Sequence, residues 1–210
     1  MAWLNLAKLR LLFMLFKISE KRLTSKRLLL RPYHEGDTPA FYKLIKENKQ
    51  RLAPVFPARI RQVFSLDEAR RFLLQFKADW LLGKSYAFGV WRQDTNQYIG
   101  DISLKNLDKS IPKAEIGYYL DAGAEGYGYG AEMLAAITRF AFEDAQLNKV
   151  FLRTSLHNAR SYALAEKCGF RREGLLRQDF RDDRKQLIDV YYYGLTRSDY
   201  NNLQKSEAGK

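Results

Sequence analysis

The chain has 210 residues, 46% of them hydrophobic and 29% charged. That length and balance give one domain with a real buried core and exclude collagen-like, low-complexity and wholly disordered chains. One cysteine, Cys168, and two histidines, His34 and His157, exclude a disulfide framework, argue against any metal centre and point to a reducing, cytoplasmic compartment. Thirty-six Lys and Arg against 24 Asp and Glu leave a net charge of +12. Most of it sits early: Lys8, Arg10, Lys17, Lys21, Arg22, Lys26, Arg27 and Arg31 face only Glu20. A basic arm favours RNA, ribosomal or anionic-lipid surroundings.

Residues 1–22 read as a basic apolar arm. Its longest uncharged run, 11–16, is far short of a membrane span, and no small-residue cleavage site follows. Three readings stand: an interfacial helix making peripheral membrane contact, a segment packed on a partner or second subunit, or an extension without a role. Residues 23–200 read as one domain and 201–210 as a polar, frayed tail.

Within the domain, residues 23–31 suggest a strand. Asp37 is a candidate N-cap for a helix carrying Phe41, Leu44 and Ile45 on one face. Ser65-Leu66-Asp67-Glu68 is a capping box, followed at helical period by Ala69, Phe72, Leu73, Phe76 and Trp80. Strands are predicted at 86–91 and 98–104, joined by Gln93-Asp94-Thr95-Asn96, and at 114–120, where Ala114, Ile116, Tyr118 and Leu120 alternate with Glu115, Gly117 and Tyr119. A glycine-rich turn leads to a helix bearing Met133, Leu134, Ile137, Phe140 and Ala141. A strand at 150–155, a helix over 158–168 closed by Gly169, and strands at 170–180 and 187–195 complete the pattern. Tyr191-Tyr192-Tyr193 reads as sheet surface. This is a mixed α/β (α+β) sheet with helices on both faces.

Glu125-Gly126-Tyr127-Gly128-Tyr129-Gly130-Ala131 lies between a strand and a helix. Glycines there let main-chain N–H groups converge on an anion, and the helix start adds partial positive charge. The expected ligand is a phosphate or pyrophosphate. A Walker loop needs Gly-Lys-Ser/Thr where this chain has Gly130-Ala131-Glu132. The dinucleotide fingerprint needs G-x-G-x-x-G where this chain has G-x-G-x-G.

Three blocks in order resemble the GNAT superfamily of acyl-CoA-dependent N-acetyltransferases. Ala114-Glu115-Ile116-Gly117-Tyr118-Tyr119-Leu120-Asp121 resembles the fourth-strand signature of its Rim-type branch. Glu125, Gly128 and Gly130 map onto the pyrophosphate loop, Arg/Gln-x-x-Gly-x-Gly/Ala. Asn158-Ala159-Arg160-Ser161 with Glu166-Lys167-Cys168-Gly169-Phe170 resembles the second conserved block. The resemblance runs from about residue 23 to 200. It implies a mostly antiparallel twisted sheet with a splayed central strand pair, acetyl-CoA as cosubstrate, no metal, and direct attack without an acyl-enzyme. It implies coenzyme contacts from Glu125, Gly126, Tyr127, Gly128, Tyr129, Gly130 and Ala131, from Asn158 on the pantetheine arm, and from the main chain near Tyr119 or Leu120.

Two departures stand out. Glu125 puts a carboxylate where the pattern has Arg or Gln, which repels a pyrophosphate unless it pairs with a cation. Ala165 stands where many members place a tyrosine that protonates the departing thiolate; Ser161 matches the serine proposed for that task in the Rim-type branch. Glu115 is the favoured general base and Asp179 the alternative. The implied acceptor is the N-terminal α-amino group of a protein, ribosomal proteins included, whose low pKa needs only a modest base. Two other readings stay open: a small amine as acceptor, and a non-catalytic acyl-CoA-binding protein on ribosomes or membranes. No sequence-specific nucleic-acid contact is expected, and monomer and homodimer are both open.

Overall fold

The computed structural model describes residues 21–208; the arm's first 20 residues lie outside that range. The single strand expected at 23–31 is a hairpin. β1 (Leu23–Thr24) and β2 (Leu28–Arg31) pair antiparallel, with Leu23 opposite Leu30. Ser25 turns the chain: its N–H donates to Leu28 O at 3.0 Å and its hydroxyl accepts from Leu28 N–H at 3.1 Å. α1 (Thr38–Glu47) buries Phe41, Leu44 and Ile45 as its period requires. Asp37 does not cap it with its side chain; the carboxylate instead takes both arms of the Arg31 guanidinium at 2.7 and 2.8 Å.

Two short helices follow, α2 (Lys49–Leu52) and α3 (Pro57–Gln62), too brief for periodicity to reveal. α4 (Leu66–Leu81) starts where Ser65 accepts from Glu68 N–H. β3 (Tyr86–Arg92), β4 (Tyr98–Asp108) and β5 (Lys113–Leu120) form a meander. α5 (Tyr129–Arg139), extended by a π turn at Phe140–Asp144, leads to β6 (Lys149–Ser155). α6 (Ala159–Lys167), β7 (Arg171–Arg181), β8 (Leu187–Thr196) and α7 (Arg197–Ala208) complete the order. The chain beyond residue 200 is thus helical to Ala208 rather than frayed: Tyr200 is buried, stacks on Phe142, and with Leu203 anchors α7 on the core.

The eight strands form one sheet in the order β1-β2-β3-β4-β5-β6-β8-β7. Every junction is antiparallel except β5–β6, the parallel pair joined through α5. Alternate residues feed two apolar layers. Leu28, Leu30, Phe88, Ile102 and Ile116 pack with Met133, Leu134 and Ile137 of α5. Trp91, Tyr98 and Tyr119 pack with Phe41, Leu44, Ile60 and Leu73 of the helices α1 to α4. Helices therefore cover both faces, and each burial of a large side chain contributes about 1.5–3 kcal/mol. The tyrosine run on β8 is not simply surface. Tyr193 is 1% exposed and donates to Glu166 at 2.7 Å, while Tyr192 stacks on Phe151.

Candidate active site

The site begins with a failure of pairing. β5 and β6 are bonded only at Lys113–Glu115 against Lys149–Phe151. Beyond that β5 runs on to Leu120 and β6 to Ser155 without each other, leaving a wedge-shaped gap in mid-sheet. Main-chain groups of β5 alternate between its two sides. Asp121 N–H donates to Ile99 O at 2.7 Å, and Tyr119 lies opposite Asp101 in the same register. Tyr119 therefore turns its main chain to β4, and Tyr118 and Leu120 turn theirs into the gap. Of the two residues expected to meet a thioester carbonyl, Leu120 has the required direction.

At the mouth of the gap lies the glycine loop. Gly126 and Gly128 adopt φ of +85° and +83°, a region open to glycine at little cost, and Gly128 is the N-cap of α5. Ala131 and Glu132 N–H return to Gly128 O. The N–H groups of Gly126, Tyr127, Gly128, Tyr129 and Gly130 find no acceptor among the described residues. Five main-chain donors at the positive end of a helix fit a diphosphate. Gly130 also lets α6 approach, since a Cβ there would lie 2.9 Å from Leu164.

The first hairpin holds this loop in place. Arg27 Nη2 donates to Tyr127 O at 2.7 Å, its Nε to Glu132 at 2.6 Å, and its guanidinium lies 4.5 Å from the Tyr129 ring centre. Ser25 Oγ donates to the same carboxylate at 2.6 Å. Partial burial pushes the Glu132 pKa up, but the Ser25 and Arg27 bonds outweigh it and hold it below the usual range. Sequence reading missed Arg27 because its partners lie about a hundred residues away.

Glu125 does not fill the cradle. Its carboxylate is shared between Arg51 of α2, at 2.5 Å, and Arg160 of α6. Arg51 also donates to Asn48 Oδ1 and to Leu120 O. Neither arginine was an expected site residue; they lie 74 and 35 positions from Glu125, and only the fold brings them to it.

On the other wall, Asn158 caps α6 by accepting from Ser161 N–H at 3.2 Å. The Ser161 hydroxyl lies 3.0 Å from the Tyr118 hydroxyl, which reaches across from β5. Burial pushes the Tyr118 phenol up to about 12, so it keeps its proton at neutral pH. The sequence placed Tyr118 in the fourth-strand signature but gave it no role. Cys168 sits at the far end of α6, half-buried, where burial raises its thiol pKa, which is the setting of a packing residue.

The two candidate bases meet on one guanidinium. Glu115 is 4% exposed. Its carboxylate accepts from Arg153 Nη2 at 2.9 Å and Asn106 Nδ2 at 2.7 Å, with Lys105 at 3.4 Å. Arg153 also donates to Asp179 Oδ2 at 2.7 Å. Asp179 is exposed, on β7 beside the bulge at 176–180. Arg153 was not among the expected site residues.

A gapped sheet, unpaired amides at a helix start and two carboxylates sharing one guanidinium suit the transfer of a group from a phosphate-bearing donor. Residues 27–171 match the acetyltransferase (GNAT) domain family. The chain belongs to that family: it is an N-acetyltransferase whose donor is acetyl-CoA. It is 28% identical over 170 residues to the ribosomal-protein-serine acetyltransferase of Escherichia coli, covering 80% of this chain and 92% of that one. It is 26% identical over 165 residues to the [ribosomal protein uS5]-alanine N-acetyltransferase of the same organism, covering 75% and 81%. Among solved structures, RimL, a ribosomal L7/L12 alpha-N-protein acetyltransferase in complex with coenzyme A, superposes with a TM-score of 0.77 at 23% identity over 84% of this chain and 98% of that one.

Proposed function

We propose that the acceptor is the N-terminal α-amino group of a protein, with ribosomal proteins the foremost candidates. The observation that carries this reading is the exposed carboxylate of Asp179, joined through Arg153 to Glu115, with Arg177 and Arg181 exposed on either side of it near the tip of the β7–β8 hairpin, a surface suited to a polypeptide rather than to a small cation. The near full-length likeness to an E. coli enzyme named for ribosomal-protein serine supports it.

The geometry supports these roles. The amides of Gly126 to Gly130 hold the diphosphate, Glu125 and Ala131 flank them, and Asn158 borders the pantetheine path. Leu120 N–H meets the thioester oxygen as charge develops on it. Acetyl-CoA supplies the acetyl group as a thioester. The attacking amine must shed a proton, and Asp179 is the carboxylate a substrate can reach. Glu115 lies deeper, and its charge holds Arg153, and through it Asp179, in place. Ser161, fixed by Tyr118 and Asn158, donates to the departing sulfur.

The test is incubation with acetyl-CoA and a panel of ribosomal-protein N-terminal peptides and small amines, with mass spectrometry locating the acetyl group. Modification at the α-amine of peptides is expected. Turnover of polyamines or amino sugars alone would overturn the acceptor assignment and leave the chemistry standing.

A further inference from the structure

Arg160 has one partner among the described residues, the Glu125 carboxylate, and its side chain is otherwise 86% exposed. Arg51 is held more firmly, with Asn48 Oδ1 and Leu120 O as further acceptors. Asn48 is itself locked, donating to Asp121 at 2.7 Å and accepting from Ala122 N–H at 3.0 Å. The two cations on Glu125 are therefore unequal: one is built into the fold, and the other is tied only through Glu125. Arg160 stands one turn before Leu164, the residue packed against Gly130 of the cradle. A diphosphate seated on the glycine amides would thus have a guanidinium beside it that is already occupied by a carboxylate.

We infer that Glu125 competes with the coenzyme's diphosphate for Arg160, so that this pair sets the donor affinity. The Glu125 carboxylate bridges both arginines. On binding, Arg160 turns to the diphosphate, and Glu125 keeps Arg51, whose other bonds hold it in place. No covalent bond changes; one ion pair is exchanged for another. A glutamate at the first loop position then does not block the site, but lowers its affinity and makes binding sensitive to salt. The inference rests on the cradle being the coenzyme site.

The test is direct titration of the full chain with coenzyme A by calorimetry, which needs no acceptor. Glu125→Gln removes the competitor and one negative charge. Tighter binding by up to about fivefold at low salt is expected, the worth of one exposed ion pair that binding no longer has to break. Arg160→Gln should weaken binding by a similar factor. The deciding measurement is the double variant: competition requires that the gain from Glu125→Gln vanish when Arg160 is absent, whereas simple charge repulsion would leave it intact. A retained gain, or no gain in the single variant, overturns the inference. Should Glu125→Gln unfold, Arg160→Gln alone still decides, because unchanged affinity there also overturns it. If the wild-type chain binds no coenzyme A, the cradle assignment itself fails, a result distinguishable from either.

Discussion

Tyr118 and Ser161 form a hydroxyl pair spanning the gap, contributed by different elements and 3.0 Å apart. Serine alone is a poor acid, but its hydroxyl can donate a hydrogen bond to a leaving sulfur if held in the right direction. Tyr118, its proton retained by burial, supplies that direction. Tyr118→Phe is expected to lower kcat by about three- to tenfold, the worth of one neutral hydrogen bond, with coenzyme affinity within about twofold. Ser161→Ala should do the same, and the double variant should cost no more than either single one. Additive losses in stopped-flow or steady-state rates would show that the two hydroxyls do not act as a unit. This pair also marks a limit of sequence reading. Ser161 was legible from its block, whereas Tyr118 looked like one more alternating core residue, because only the splay brings its hydroxyl to α6.

At the level of elements, α3 is tied to the sheet by charge. Asp101 on β4 is 1% exposed and accepts from Arg59 of α3 at 3.0 Å and from Tyr33 at 2.6 Å. The Arg59 guanidinium also lies within 5.1–5.4 Å of the Phe56, Phe72, Phe76 and Tyr119 rings. Breaking such a pair strands a buried charge. Asp101→Asn is expected to destabilise the protein by about 3–5 kcal/mol in urea unfolding, while Asp101→Leu with Arg59→Met should cost less than the single change. The sequence made the strands, the long helices and the capping box at Ser65 legible, since each carries its own period or cap. It did not show α2, α3 or the hairpin at 25–28. Those are fixed by contacts with distant residues, Arg59 with Asp101 and Arg27 with Glu132, which no local pattern encodes. The glycine loop was legible in composition. Its cations, Arg27, Arg51 and Arg160, were not.

The whole molecule carries an alkaline limit. Burial raises the phenols of Tyr118 and Tyr119 to about 12 and pushes Tyr33 and Tyr98 well above their ordinary value. A phenol whose folded pKa exceeds its unfolded value binds its proton more tightly when folded. Its contribution is complete below the unfolded pKa of about 10 and is lost as pH rises towards the folded value. Stability from urea titrations should therefore be unaffected by these rings up to about pH 10 and fall steeply above it, by about 2 kcal/mol for Tyr118 alone. The part of the tyrosinate absorbance that comes from a buried ring, isolated by difference against Tyr118→Phe, should rise with unfolding rather than before it; ionisation of that part before any structural loss would contradict the burial of the ring. The Arg27 bonds to Tyr127 and Glu132 bear on the molecule in time as well. They join residues 100 and 105 positions apart, so on a growing chain the first hairpin emerges long before the segment it must clasp. The glycine loop can be clasped only after more than half the polypeptide has been made, and trimming the chain back past Arg27 would remove that clasp together with β1 and the buried Leu23.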